Sequence, residues 1–264
     1  MDFLTRAWFA AAALVLSGPV LADMAAAPAC KAHSGPLVRP VVELFTSEGC
    51  DSCPPADRWF SATFKDERDG PIALAFHVDY WDRLGWKDRF AQAAYTERQQ
   101  HAADVNHAGF VYTPQVLLQG REFRWRDGNA AAAARNGAQP ASVTIDLEVA
   151  REAASVRAHA SARAAGTVPL PADASVVLAY VDNGLESEVK AGENRGVRLH
   201  HDHVVRALQA GGRADGQGAL PVDARFAVPA EPGRNPALVA FVQRSRDGAI
   251  LQAVALPLAD CPPR

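Results

Sequence analysis

The hydrophobic pattern of the chain changes character near Gln139-Pro140. Before that point, short apolar runs alternate with stretches of helical spacing. Val41-Val42-Glu43-Leu44-Phe45-Thr46, after Pro40, reads as a buried strand, and so does Ile72-Ala73-Leu74-Ala75-Phe76-His77-Val78 after Pro71. Between them stand Pro54-Pro55, which fit only the first turn of a helix, where backbone N–H groups have no helical partner. Trp59, Phe60, Thr63 and Phe64 continue at helical spacing, and Asp88 to about Ala103 predicts a second helix. Gln115–Gln119 predicts a third strand turned by Gly120, Phe123 and Trp125 suggest a fourth, and Asn129 is placed to cap a helix over the alanine run 130–134.

Beyond Gln139-Pro140 the period shortens to two. Val143, Ile145, Leu147 and Val149 alternate with polar residues, as in a half-exposed strand. Ser175–Val181 is another strand, closed by Asp182-Asn183-Gly184. Ala237–Gln243 and Ala249–Leu256 flank Asp247-Gly248, a hairpin signal. Ala150–Ala165 fits helix and strand equally. Short strands with turn signals and little helical periodicity predict an all-β, sandwich-like domain. The expected organisation is therefore an α/β domain over 37–138 and a β-sandwich-like domain over 139–264, preceded by an N-terminal extension, 23–36.

Residues 1–22 read as a signal peptide: Arg6, the apolar run Ala7–Leu16, the break at Gly18-Pro19, and Val20-Leu21-Ala22 before Asp23. The run is too short to span a bilayer, and no later segment is long and apolar enough. The mature chain is expected in the periplasm or secreted, in an oxidising space, with no membrane association after signal cleavage. Composition is that of an ordinary soluble domain, 48% hydrophobic and 22% charged, and the net charge of −3 leaves no basic surplus for a nucleic-acid partner.

In that setting the cysteines carry weight. Cys30, Cys50, Cys53 and Cys261 allow three pairings; Cys50–Cys53 with Cys30–Cys261 is favoured, the second as a structural disulfide tying the two mature ends together. Cys50-Asp51-Ser52-Cys53 follows a strand and leads into a helix, and a helix N-terminus stabilises a thiolate. A C-x-x-C is a redox dithiol, a static disulfide or half of a metal site; zinc needs about four ligands and no second C-x-x-C exists. Thr113-Pro114, directly before a strand, would in the cis form place backbone beside the dithiol, where an extended substrate pairs with it. The loop carrying Tyr80, Trp81 and Trp86 follows a strand's carboxyl end, the edge where open α/β sheets bind ligands. Its aromatics are either the wall of a substrate groove or a plug between domains. His77 is either a base or a hydrogen-bonded core residue. His200-His201-x-His203 is either a metal cluster or a polar strand, with His201 and His203 on one face. No P-loop, dinucleotide fingerprint, H-E-x-x-H or G-x-S-x-G is present.

Val41–Asp57, Phe76–Asp82, Leu84–Asp88 and Tyr112–Gln115 resemble a family of secreted bacterial proteins with a thioredoxin-like fold, catalogued as domain of unknown function 1223. Gly192-Glu193-Asn194, Gly196, Leu199, His201 and Val204-Val205-Arg206 resemble its C-terminal signature. The resemblance implies the fold class, α/β and thioredoxin-like at the N-terminus with the all-β domain behind it, and export, but no reaction. The wider thioredoxin comparison implies a buried acid in the strand before the dithiol; Glu43 is the candidate, and His77 its rival. The favoured function is thiol–disulfide exchange with exported protein thiols and disulfides and a periplasmic redox partner, without a cofactor or metal. Cys50 attacks, Cys53 resolves, and Thr113, Pro114, Tyr80, Trp81 and Trp86 receive the substrate. The alternatives are a copper-binding module using Cys50, Cys53 and His77, and a scaffold with a static disulfide.

Overall fold

A computed structural model describes residues 30–65, 68, 70–126, 132, 133, 139–212 and 218–262. The signal-peptide reading, and the alanine-run helix apart from residues 132 and 133, lie outside them. The described elements are β1 (Cys30–His33), β2 (Val41–Thr46), α1 (Pro54–Thr63), β3 (Ile72–His77), α2 (Ala93–Val105), β4 (Gln115–Leu118) and β5 (Arg121–Glu122). Then follow β6 (Val143–Arg151), β7 (Ser155–Ala164), β8 (Ala174–Asn183), β9 (Leu185–Glu188), β10 (Arg198–His201), β11 (Val204–Gly211), β12 (Leu220–Ala227), β13 (Arg234–Arg244) and β14 (Ile250–Pro257).

This architecture corrects the expected fold class. Strand makes up 45% of the described residues against 14% helix, so the chain is β-rich rather than α/β and thioredoxin-like. The physical reason is one pairing that local periodicity does not encode. β11 runs parallel to β3, Val204 opposite Ala75, and so fuses the early strands with the late ones into a single eight-stranded sheet, β14-β13-β8-β11-β3-β2-β4-β5. A four-stranded sheet, β1-β6-β7-β12, and the separate β9–β10 pair complete the topology.

The pleat of the large sheet assigns its two faces. Val176, Leu178 and Tyr180 of β8 with Leu238, Ala240 and Val242 of β13 meet Val143, Ile145, Leu147 and Val149 of β6, so the four-stranded sheet covers that part of the face. Farther along the same sheet, Val42, Leu44, Ala73 and Ala75 meet Ala56 and Phe60 of α1 and its C-cap residue Phe64. The alternate residues Val41, Phe45, Leu74, Phe76, Ala179 and Phe241 point to the other face, where Tyr95 of α2 joins them. The β4–β5 turn meets the β13–β14 turn. A Cβ at Gly120 would lie 2.1 Å from the Gly248 carbonyl oxygen, and Gly120 has φ +78°, so two constraints select glycine there.

Candidate functional site

Cys50 and Cys53 are joined by a disulfide, with Cα atoms 5.4 Å apart. They form the turn between β2 and α1: the Cys53 amide donates to the Cys50 carbonyl (3.2 Å), and the Ala56 and Asp57 amides to the Cys53 carbonyl (2.8 and 3.1 Å). Cys53 is the N-cap of α1, with Pro54 and Pro55 in the first turn. Asp51 and Ser52 face solvent while both cysteines are fully buried.

Beneath this turn lie five ionisable side chains removed from water: Glu48, Asp57, His77, Asp88 and His201. Their placement follows from the pleat. His77 stands opposite Thr46 in the β2–β3 register, on the α1 face of the sheet. Asp57 is one helical turn beyond Cys53, so both occupy one side of α1, and Thr46 Oγ1 donates to Asp57 Oδ1 at 2.8 Å. His77 Nδ1 is held by Asp88 Oδ2 at 2.7 Å. The same Asp88 carboxylate accepts from the Glu48 amide (2.9 Å) and the Phe90 amide (2.9 Å). Glu48 Oε2 accepts from the Trp86 indole N–H at 2.7 Å. His201, arriving on β10, places Nε2 3.3 Å from Glu48 Oε1, at ion-pair distance but out of hydrogen-bond alignment. Glu48 Oε1, His77 Nε2 and His201 Nε2 consequently have no hydrogen-bond partner. The His77 and His201 rings meet edge to face at 4.9 Å, and Phe90 packs on both.

The electrostatics divide the cluster. Burial works against the charged form of His77, but the Asp88 carboxylate outweighs it and His77 is pushed up. Burial likewise opposes charge on Asp88, yet His77 and the two amides hold it below the usual carboxylate range. Asp57 has no such partner; burial dominates, the nearby His201 and His77 only partly offset it, and its carboxyl is pushed up.

Several residues expected at the site are brought to it. Trp86 reaches Glu48, and Trp81 Nε1 donates to Thr113 Oγ1 at 2.8 Å, linking the aromatic loop to the segment whose Thr113–Pro114 bond is cis. A Cβ at Gly49 would sit 3.0 Å from the Trp81 Cβ, so glycine before Cys50 lets this loop close on the dithiol. Tyr80 turns to Gln99 Oε1 (3.2 Å). Glu43 is not brought there. It shares the α2 face with Val41 and Phe45, and Arg98 of α2 pairs with it at 2.7 Å. Cys30 and Cys261 are bonded to each other far from this turn, joining β1 to the segment after β14. Of the three histidines near 200, His200 is exposed, His201 enters the cluster, and His203 packs its ring on Phe60. Among the described residues no group of three or more His, Cys, Asp or Glu is arranged to hold a metal ion.

Glu48, Asp57, Asp88, Glu193 and Asn194 had no role assigned from sequence. Asn194 Nδ2 donates to both the Glu48 and the Cys50 carbonyls (2.9 Å each), and Glu193 Oε2 accepts from the Asp51 amide (3.3 Å). The signal that holds them is the set of motif residues carrying the family resemblance, which contains every one of the five.

A family model described as "Protein of unknown function (DUF1223)" matches residues 41–243, spanning the dithiol, the aromatic loop and the β9–β10 pair. The chain belongs to this family. Among solved structures, this DUF1223 chain is similar to an X-ray structure of an Agrobacterium tumefaciens protein, with 29% identity, TM-score 0.57, and 83% of this chain and 94% of that one covered. It is also similar to HBP35 of Porphyromonas gingivalis, with 13% identity, TM-score 0.63, and 87% and 78% covered, a likeness of fold alone. No curated protein matches it. No helix among the described residues is long and apolar enough to cross a membrane.

Proposed function

We propose that this protein is an exported thiol–disulfide oxidoreductase that exchanges disulfides with other exported proteins through Cys50 and Cys53. The observation that carries the reading is the coincidence of a disulfide at the start of α1 with a buried ionisable cluster that includes Glu48 and Asp57, the residues flanking the dithiol turn in the chain. Removing five ionisable groups from water is costly for a merely static disulfide, and groups displaced from their ordinary titration, as Asp57, His77 and Asp88 are, gather where protons move. Export rests on residues 1–22, which precede the described chain.

In the reducing direction the Cys50 thiolate attacks one sulfur of a substrate disulfide. The leaving sulfur departs as a thiolate and takes a proton, and a mixed disulfide joins Cys50 to the substrate. The Cys53 thiol then loses its proton and attacks Cys50; the Cys50–Cys53 bond forms, and the substrate leaves with its second thiol. Two electrons pass to the substrate, and two protons follow. The same steps reversed oxidise a substrate dithiol. Asp57, on the Cys53 side of α1 and pushed up by burial, is the group suited to take and return the Cys53 proton.

Insulin reduction followed by turbidity tests the reading. The reduced wild type turns over with an electron source, Cys50→Ser is inactive, and Cys53→Ala accumulates a mixed disulfide on Cys50 with exported proteins. No turnover and no trapped species leave only the static disulfide. Asp57→Asn keeps the acceptor for Thr46 but cannot hold the proton. It should slow resolution while sparing Cys50 attack, and flatten the pH profile of that step.

A further inference from the structure

We propose that Asn194 determines which molecules reach Cys50. It latches the tip of the β9–β10 hairpin over the dithiol, and the substrate that displaces it is an extended polypeptide segment offering backbone N–H groups. The inference rests on the redox reading above and adds the substrate class.

Cys50 and Cys53 are 0% exposed although the two residues between them face solvent, so something other than their own turn covers the sulfurs. Besides the aromatic loop, the residues fastened to the turn include those joining β9 to β10. Asn194, itself buried, gives its side-chain amide to the Glu48 and Cys50 carbonyls, and Glu193 receives the Asp51 amide. The tip is internally organised. The Gly196 amide donates to the Val189 carbonyl (2.8 Å), Val197 to Asn194 (3.0 Å) and Arg195 to Gly192 (3.3 Å), so it moves as a unit. β9 and β10 pair with each other and with neither larger sheet. The base of the hairpin is pinned instead: Gly184 donates its amide to Asp202 Oδ1 and His203 to Asn183 Oδ1, both at 2.8 Å. The tip also buries Val189 and sets Gly192 against Trp86, where a Cβ would lie 3.3 Å from the Trp86 Cβ, so opening from the fixed base separates these side-chain contacts but breaks no ladder to either larger sheet.

The chemistry of the latch names its competitor. The Glu48 and Cys50 carbonyls are acceptors on either side of Gly49, and the Asn194 amide satisfies both. When the tip leaves, both need replacement donors, or they stay unpaired in a water-poor site. An extended chain running past Cys50 supplies peptide N–H groups there; a small dithiol supplies none. Unfolded or loosely structured cysteine-bearing segments are therefore favoured over small thiols and compact disulfides.

The test compares the two disulfides within one molecule. Dithiothreitol reduces each by thiolate attack, forming its own cyclic disulfide and leaving two protein thiols, and quenched alkylation with peptide mapping times each separately. Asn194→Ala and the isosteric Asn194→Asp, which cannot donate, should accelerate reduction of Cys50–Cys53 on the order of tenfold, with Cys30–Cys261 unchanged. A reduced, unstructured cysteine peptide should gain much less from either substitution, because it already displaces the latch in the wild type. Unchanged rates, or equal acceleration of both disulfides in both variants, overturn the proposal. Native-state hydrogen exchange on the wild type needs no variant. The Asp51 amide, which loses Glu193 when the tip leaves, should exchange well before the Val189, Gly196 and Val197 amides, whose partners travel with the tip, and protection of Asp51 equal to theirs also overturns it. A latch that opens as described in a protein that never turns over insulin removes the redox reading and leaves the latch standing.

Discussion

The two ends of the eight-stranded sheet bury opposite kinds of side chain. Where β8, β13 and β14 lie under the four-stranded sheet, the buried cluster is Val, Ile, Leu and Ala with Tyr180, Phe226 and Cys261. Where β2 and β3 lie under α1, the apolar layer gives way at the strand ends to Glu48, Asp57, His77, Asp88 and His201. Apolar burial needs no partner and is nearly non-directional, so the first end stabilises the molecule and tolerates exchange of one aliphatic residue for another. A buried charge is tolerated only with its partner in place. The second end therefore gives up stability for a fixed arrangement of ionisable groups, two of which, Glu48 and Asp57, flank the Cys50–Cys53 turn in the chain.

The largest effect should come from splitting the charged end. Asp88→Ala leaves His77 buried without its counter-ion and strips the Glu48 and Phe90 amides of their acceptor. A loss of about 3–5 kcal/mol is expected, measured by urea unfolding with Cys30–Cys261 intact. The pH dependence has a definite sign. Asp88 is lowered on folding, so its contribution is present above its unfolded value of 3.8 and is lost as pH falls through the folded one. His77 is raised, so its contribution is full below 6.5 and is lost as pH rises through the folded value. The gap between wild type and variant is thus widest between those two unfolded values and narrows on either side. A gap no larger than that from breaking the exposed Lys31–Glu148 pair, about 0–1 kcal/mol, would erase the distinction between the two ends.

At the apolar end, Leu147→Ala removes a fully buried side chain of β6 and should cost about 2–5 kcal/mol by the same unfolding measurement. Its diagnostic value is what stays constant. The Cys50–Cys53 reduction potential should not move, whereas Asp88→Ala should shift it. A matching shift in Leu147→Ala would mean the two ends are coupled through the shared sheet.

The same contrast explains what was legible in the sequence. At the apolar end the information is local: alternation at Val143, Ile145, Leu147 and Val149 is the burial pattern of β6, and Asp247-Gly248 lies in the β13–β14 turn. The two early strands before and after α1 are equally local, being continuous apolar runs. The joining of β11 to β3 is not local. It depends on a register between residues over a hundred positions apart, and it joins early and late strands in one sheet. At the charged end each residue looks like a surface residue where it stands. Asp88 reads as the start of a helix, yet α2 begins at Ala93, because the Asp88 carboxylate serves His77, Glu48 and Phe90 instead. Glu43 carried the right chemistry in the right strand, but an odd step along the pleat turns it to Arg98 on the far face.

A smaller effect is expected from Asp57→Asn. Asp57 is raised by burial, so its ionised form disfavours folding above the folded value, and the penalty disappears as pH falls toward 3.8. The variant should be more stable than wild type at neutral pH, and the two unfolding curves should converge on acidification. Wild type more stable throughout would mean that the interactions with His201 and His77 outweigh burial, and would make Asp57 a structural counter-ion rather than a proton acceptor.

The smallest effect separates the covered side of the dithiol from its open side. Asp51 lies between the two cysteines but faces water, and its backbone amide, not its carboxylate, is engaged by Glu193. A carboxylate near Cys50 disfavours a second negative charge, so Asp51→Asn should favour the thiolate, and hence the reduced form, and raise the reduction potential. Solvent screening limits an exposed charge to about 0–1 kcal/mol, and since about 30 mV corresponds to 1.4 kcal/mol for this couple, the rise should not exceed roughly 20 mV. Equilibration with glutathione resolves that, and Ser52→Ala, which removes a hydroxyl 3.4 Å from the Cys50 sulfur without changing charge, is the control. A shift several times larger would mean that the Asp51 carboxylate acts across the same water-poor space as Asp57. The electrostatics of the dithiol would then be set from both sides of the turn rather than from the cluster beneath it.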